Sequence, residues 1–333
     1  MLMTILTLIG GFILLVVGGE LLVRGSVRVA ERLGVSPLLI GLTLVGFGTS
    51  APELVTSVEA SLRGAPGIAL GNIVGSNIAN TLLILGVAAL IFPLTVSDSA
   101  LRRDGSFMIL TSLLFTAAGF TIGLTRIAGA LFVAGLVAYV VFAYLQERNS
   151  DAVTAQGHTA AYDKGEAFNQ LDPGIHGDAG TKGLMAWVIP IGLAVAGLAI
   201  IIMGGRILVG SAIDLARILG MSESVIGLTV VAVGTSLPEL VTSVMAAIRR
   251  QTDIAVGNVL GSNIYNILGI GGVTGLLAPT AFPADMLELD LFVMVAAAVL
   301  MYILARNGKI SRLEGGLMLV AYAGYIGYLL ISS

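Results

Sequence analysis

Apolar residues in this chain come in runs of roughly twenty, the length a helix needs to cross the hydrocarbon core of a bilayer. Each run ends at a Pro, a Gly or a group of charges. Ten runs are read, near residues 4–30, 38–62, 68–91, 105–122, 127–145, 184–215, 224–248, 254–277, 287–305 and 313–331. The pattern predicts an all-α polytopic membrane protein with ten transmembrane helices. The first run has no basic residue before Arg24, so it lacks the positive n-region of a signal peptide and is read as a retained helix. Gln146 to Gly183 is the long polar segment of the sequence. It is expected to be a solvated linker, 146–183, between two five-helix halves, 1–145 and 184–333.

The halves share a repeat. Gly34–Leu90 and Gly220–Leu276 align without a gap at an offset of 186, with 33 of 57 positions identical. Five is an odd number of crossings, so the second half enters the membrane from the opposite side and the two repeats are expected to be inverted. Charge sets the orientation. With both termini outside, the inner loops hold Arg24, Arg28, Arg32, Arg102, Arg103, Arg148, Lys164, Lys182, Arg249, Arg250, Arg306, Lys309 and Arg312, which is 13 of the 17 basic residues. The positive-inside rule therefore places the linker in the cytoplasm.

Composition narrows the class. Only 11% of residues are charged, 56% are hydrophobic, and mean hydropathy is +0.99. Soluble domains carry about 25% charged residues, so a soluble core is excluded. A net charge of -3 with scattered basic residues gives no nucleic-acid surface, and the lack of cysteine removes disulfides and thiolate metal sites. The histidines, His158 and His176, both fall in the linker and are read as solvated.

Each repeat carries an acid deep in its apolar helix at the same position, Glu53 in GTSAPE and Glu239 in GTSLPE. A carboxylate at the bilayer centre costs about 3 kcal/mol or more, which calls for a compensating role. No Lys or Arg lies on the repeat helices except Arg63, Arg249 and Arg250 at their ends, so the partner expected for the acids is an ion. Its surroundings supply oxygen. Thr49 and Ser50 precede Glu53 as Thr235 and Ser236 precede Glu239, and Pro52 and Pro238 break the helices so that backbone carbonyls are freed. Ser76 with Asn80, and Ser262 with Asn266, are i, i+4 pairs on the following helices. An all-oxygen set suits hard cations such as calcium and sodium. Two glutamates balance one divalent or two monovalent ions, a charge suited to exchange. Asn72, Asn77, Asn258 and Asn263 lie on other faces, and Gly71, Gly75, Gly257 and Gly261 are read as close helix contacts.

GTSAPE with GSNIAN, and again GTSLPE with GSNIYN, resemble the sodium/calcium exchangers of the cation/calcium exchanger superfamily, in particular the compact prokaryotic type. The resemblance implies a ten-helix inverted-repeat antiporter in the plasma or inner membrane, exchanging sodium for calcium by alternating access. It implies that Glu53 and Glu239 bind calcium with carbonyls of Thr49 and Thr235. It also implies that sodium draws in Ser50, Ser76, Ser236 and Ser262, with carbonyls of Gly46 and Ala232. Where many relatives carry Asp and Ala, this chain has Asn266 and Gly46. The linker is too short for large calcium-sensing domains, and its acids Asp151, Asp163, Glu166, Asp172 and Asp178 are read as solvated.

Rival readings are a proton/calcium antiporter and a passive cation channel. No arrangement of nucleophile, base and oxyanion donors points to an enzyme. Neither a resident cofactor nor a protein partner is implied: the expected ligands are the transported calcium and sodium ions and the lipid bilayer. Pseudosymmetry also suggests an interhelical pair of Glu20 with Arg206.

Overall fold

The computed structural model describes residues 1–34, 46–148, 158–171 and 185–332. Twelve principal helices are found in these segments: α1 (Leu2–Arg32), α2 (Ala51–Leu62), α3 (Pro66–Ile91), α4 (Leu101–Thr121), α5 (Arg126–Arg148), α6 (Ala160–Leu171), α7 (Met185–Leu219), α8 (Glu223–Thr235), α9 (Leu237–Ile248), α10 (Thr252–Leu277), α11 (Met286–Ala305) and α12 (Arg312–Ser332). Eight are long and apolar enough to cross a membrane, and α8 with α9, bent by 49° at Ser236, makes a ninth span among the described residues. Of the predicted run near 38–62, only the part from Gly46 onward is described, as a single turn Gly46–Gly48 followed by α2. The chain is thus an all-helical, polytopic integral membrane protein.

Position in the bundle follows composition. α3 and α10, rich in Gly and Asn, are buried along almost their whole length, whereas α1, α5, α7 and α12 turn Leu, Ile and Val outward. In lipid there is no hydrophobic drive to bring helices together, so close packing by small residues has to do it. At the α1–α7 seam, Gly11 packs on Leu208, Gly18 on Ile201, and Gly25 on Ala194, which makes the two helices antiparallel. A Cβ on Gly18 would come within 2.7 Å of the Ile201 nitrogen. In return Gly197 packs on Leu22, and Gly204 on Leu14 and Leu15. At the offset of 186, Gly11–Leu208 becomes Gly197–Leu22 and Gly18–Ile201 becomes Gly204–Leu15, as an internal twofold requires.

The same relation runs through the rest of the bundle. Asp104 accepts a hydrogen bond from Tyr139 at 3.2 Å, and Asp290 one from Tyr325 at 2.8 Å, each pair offset by 186 from the other. The short strands β1 (Leu94–Thr95) and β2 (Lys309–Ile310) pair antiparallel with Leu94 opposite Ile310, and an isolated bridge joins Leu124 to Thr280. Adding 186 to Leu94 and Leu124 gives Thr280 and Ile310. Two predicted glycine contacts are found as well: Gly71 lies against Gly227, and Gly75 against Leu228 and Ala232.

Two expectations are corrected. The segment between the halves is not solvated throughout, because its residues 160–171 form α6, and Thr159, Ala160, Ala161, Asp163, Lys164 and Ala167 are buried. Small side chains explain this: Gly257 and Gly261 of α10 open a groove into which Ala160, Asp163 and Lys164 fit. Of the linker residues singled out, His158 is exposed and stacks on Tyr162, while Asp151, Asp172, Asp178 and His176 lie outside the described residues. Glu20 does not meet Arg206. It pairs with Arg24 one turn along α1, and Arg206 reaches Glu59 at 3.7 Å, where Arg63 also binds. A partner at i+4 on the same helix needs no reach across the bundle.

Candidate ion-binding site

Proline places the acids. Pro52 and Pro238 occupy the first turns of α2 and α9, where their missing N–H is no loss, and Ser50 and Ser236 are the N-cap residues at φ -90° and -84°. Glu53 and Glu239 therefore sit in the first turn of a new helix, at the end where the aligned peptide dipoles favour negative charge. Ser50 and Ser236 thus stand at the breaks, with Thr49 and Thr235 one residue before them. Glu53 and Glu239 are 1% and 2% exposed.

α3 and α10 form the other wall. Both change to a wider π-helical winding over Ala79–Ile84 and Tyr265–Gly271, which carry Asn80 and Asn266. Such bulges cluster at functional sites because they turn side chains out of the regular register. Asn80 donates to Asn263 Oδ1 at 3.1 Å, which leaves its own Oδ1 unengaged. Ser76 Oγ lies 3.5 Å from the carbonyl of Ala232, so α3 of one half touches the break of the other. Gly46 opens the turn that leads to Thr49. A cavity of about 520 Å³, bounded by Glu20, Gly48, Thr49, Pro52 and Pro238 among others, runs alongside Thr49.

Six buried oxygens of the predicted set have no hydrogen-bond partner among the described residues: Ser50 Oγ, Ser236 Oγ, Glu53 Oε2, Glu239 Oε2, Asn80 Oδ1 and Asn266 Oδ1. They form three pairs at the offset of 186. Unsatisfied buried polar atoms are few in native proteins and costly, so a matched group of six points to a ligand of positive charge.

Two of the remaining asparagines, Asn72 and Asn258, brace this set. Asn72 donates to the carbonyl of Glu53 at 3.1 Å and to Ser57 Oγ at 2.9 Å, and accepts from Thr235 Oγ1 at 2.9 Å. Asn258 donates to the carbonyl of Glu239 and to Thr242 and Ser243. Asn77 turns back to Ile73 within its own helix.

One contact was not foreseen. Lys164, from α6, puts its Nζ 3.3 Å from Glu239 Oε1 and 2.6 Å from Ser262 Oγ, and is itself fully buried. The expectation that only an ion could neutralise the acids is therefore corrected: the lysine lies outside the repeats, and packing rather than sequence proximity brings it in. The one signal in the sequence is the spacing of Ala160, Lys164 and Ala167 on one helical face.

The profile of the sodium/calcium exchanger protein family matches residues 3–145 and 189–331. The sodium/calcium exchanger MaX1 of Methanosarcina acetivorans is 36% identical over 354 residues, covering 96% of this chain and 97% of that protein. The inner membrane protein YrbG of Escherichia coli is 34% identical, covering 91% of this chain and 89% of its own. Among solved structures, the sodium-calcium exchanger NCX_Mj soaked with Na+ and Sr2+ matches with a TM-score of 0.61 and 31% identity over 98% of both chains. With both halves matched by one profile and full-length relatives above 30% identity, the chain belongs to the sodium/calcium exchanger family, whose members are transporters and not enzymes.

Proposed function

We propose that the chain is a secondary antiporter that exchanges sodium for calcium across the membrane, with Glu53 and Glu239 as the shared ion ligands. The observation that carries this reading is the set of six unpartnered oxygens in three pseudosymmetric pairs around two buried carboxylates. Carboxylate, hydroxyl and amide oxygens fit calcium, and the same atoms divide between sodium ions. The two sets compete for the same charge, which is what exchange needs. Thr49, Thr235, Gly46 and Ala232 complete the set through their carbonyls, and Ser76 and Ser262 through their hydroxyls.

The ten-helix plan in two inverted five-helix halves is part of this proposal. Its support is that α1 and α7, equivalent by the offset of 186, run antiparallel, as equivalent helices of inverted halves must. The strand pairing supports it too: the loop before α4 pairs with the loop after α11, which lie on one side only if the halves are inverted. The distribution of basic residues supports both termini outside and a linker 146–183 on the cytoplasmic side, from which α6 packs into the bundle, in a plasma or inner membrane. Helices broken at the midplane by inverted repeats support alternating access over a passive channel.

The test is flux. Proteoliposomes loaded with sodium and diluted into sodium-free medium are expected to take up calcium, and Glu53→Gln and Glu239→Gln are each expected to abolish uptake while still inserting. Uptake driven by a proton gradient alone would favour proton/calcium antiport, uptake without any gradient would favour a channel, and near-normal flux in either variant would refute the site.

A further inference from the structure

We propose that α6 is a tethered plug, and that its Lys164 ammonium competes with the transported cations for the oxygens of Glu239 and Ser262. The inference rests on reading those two residues as ion ligands.

Lys164 is a strange side chain to find there. A buried lysine is costly unless paired and hydrogen-bonded, and this one has both: the carboxylate at 3.3 Å and the hydroxyl at 2.6 Å. Its charge also reaches Glu53. An ammonium and a sodium ion carry the same charge and seek the same oxygens. A calcium or sodium ion between Glu53 and Glu239 would sit beside the ammonium, with little water to screen the repulsion. Ion and lysine therefore exclude each other, and the site fills only when α6 withdraws.

The docking of α6 is built by more than this contact. Asp104 Oδ2, on a fully buried side chain, accepts from the backbone nitrogen of Ala160 at 3.0 Å, and Arg103 donates to the carbonyl of His158 and to Asp104. Gly257 leaves room for the Asp163 side chain, and Gly261 for the carbonyl of Ala160 and the stem of Lys164. Asp290, the equivalent of Asp104, holds Tyr325 in the same way, but the second half provides no counterpart of α6 among the described residues. The plug thus breaks the twofold: Glu239 is ion-paired and Glu53 has no ion-pair partner among the described residues. It packs beside the loop before α4, since Thr95, Val96 and Ser97 line one pocket together with His158, Ala160 and Asp163.

The native chain has no cysteine, so Ala167→Cys creates a single thiol, buried when α6 is docked and reachable when it is not. In membranes held in N-methyl-glucamine chloride, a hydrophilic maleimide is expected to label it slowly. At equal ionic strength in sodium or calcium chloride the rate is expected to rise by about tenfold or more, as for a state that is about 90% docked without ions. Lys164→Gln in the same background is expected to label fast in every salt. In the chain without the added cysteine, Lys164→Gln is expected to bind radioactive calcium about tenfold more tightly than the native protein, and Lys164→Arg nearly as the native protein does. Labelling that is indifferent to cation and to residue 164, or equal calcium affinity with Lys and Gln, overturns the plug while leaving the ion site standing. Calcium binding in neither form overturns the ion site, and the plug with it.

Discussion

Asn72 and Asn77 are the same residue type on one helix, yet the structure predicts very different costs for losing them. Asn72 makes three hydrogen bonds, to the carbonyl of Glu53, to Ser57 and to Thr235, and so ties α3 to the first-half acid and to the break of the second half. Asn77 makes one, to Ile73 on its own helix. Hydrogen bonds between membrane helices average about 0.6 kcal/mol each, so the three of Asn72 amount to about 2 kcal/mol. If that energy holds the Glu53 turn in its ligating position, Asn72→Ala weakens calcium affinity by about 30-fold. Asn258→Ala, with three bonds around Glu239, is expected to do the same, and Asn77→Ala to change affinity by less than about threefold. Equilibrium binding of radioactive calcium to purified protein reads all three. An unchanged affinity in Asn72→Ala, or an equal loss in Asn77→Ala, would refute the bracing role.

Other predictions test the frame. Gly18→Ala drives a methyl into the backbone of α7 and is expected to cost about 1–3 kcal/mol in thermal stability, as overpacking does. Gly10→Ala, where nothing lies within 4 Å, should leave the melting temperature unchanged. Tyr139→Phe and Tyr325→Phe remove equivalent hydrogen bonds to Asp104 and Asp290, and each is expected to lower stability by about 1 kcal/mol. An unchanged melting temperature in either variant would contradict the bond assigned to it. Glu20→Gln and Arg206→Gln should be additive in a double-mutant cycle, since the two side chains have different partners, and a coupling above about 0.5 kcal/mol would restore the pair rejected above.

Much of this was legible in the sequence because two signals reinforce each other. Repetition at a fixed offset singles out Glu53 and Glu239, and proline before each acid predicts the break that sets both at helix N-termini. The oxygen ligands proposed for them were chosen on residue type and spacing. Other features depend on packing. The π-helical winding that carries Asn80 and Asn266 has no signature in GSNIAN or GSNIYN, and the i, i+4 spacing alone does not reveal it. Asn72 and Asn258 could not be told from Asn77 and Asn263 by spacing, since only the neighbouring helix decides what each amide meets. α6 was missed because it is held by Ala, Asp and Lys set against Gly257 and Gly261. No large apolar face marks it, and a polar composition reads as solvated unless the groove that receives it is known.

The central claim is that two acids from opposite halves hold one ion between them. Anomalous diffraction from crystals of the Lys164→Gln protein soaked in strontium locates that ion directly. The account predicts a single strong peak within coordination distance of both the Glu53 and Glu239 carboxylates, lost when high sodium is added to the same strontium soak. A peak on one glutamate only, or strontium bound elsewhere with nothing between the two, would contradict it.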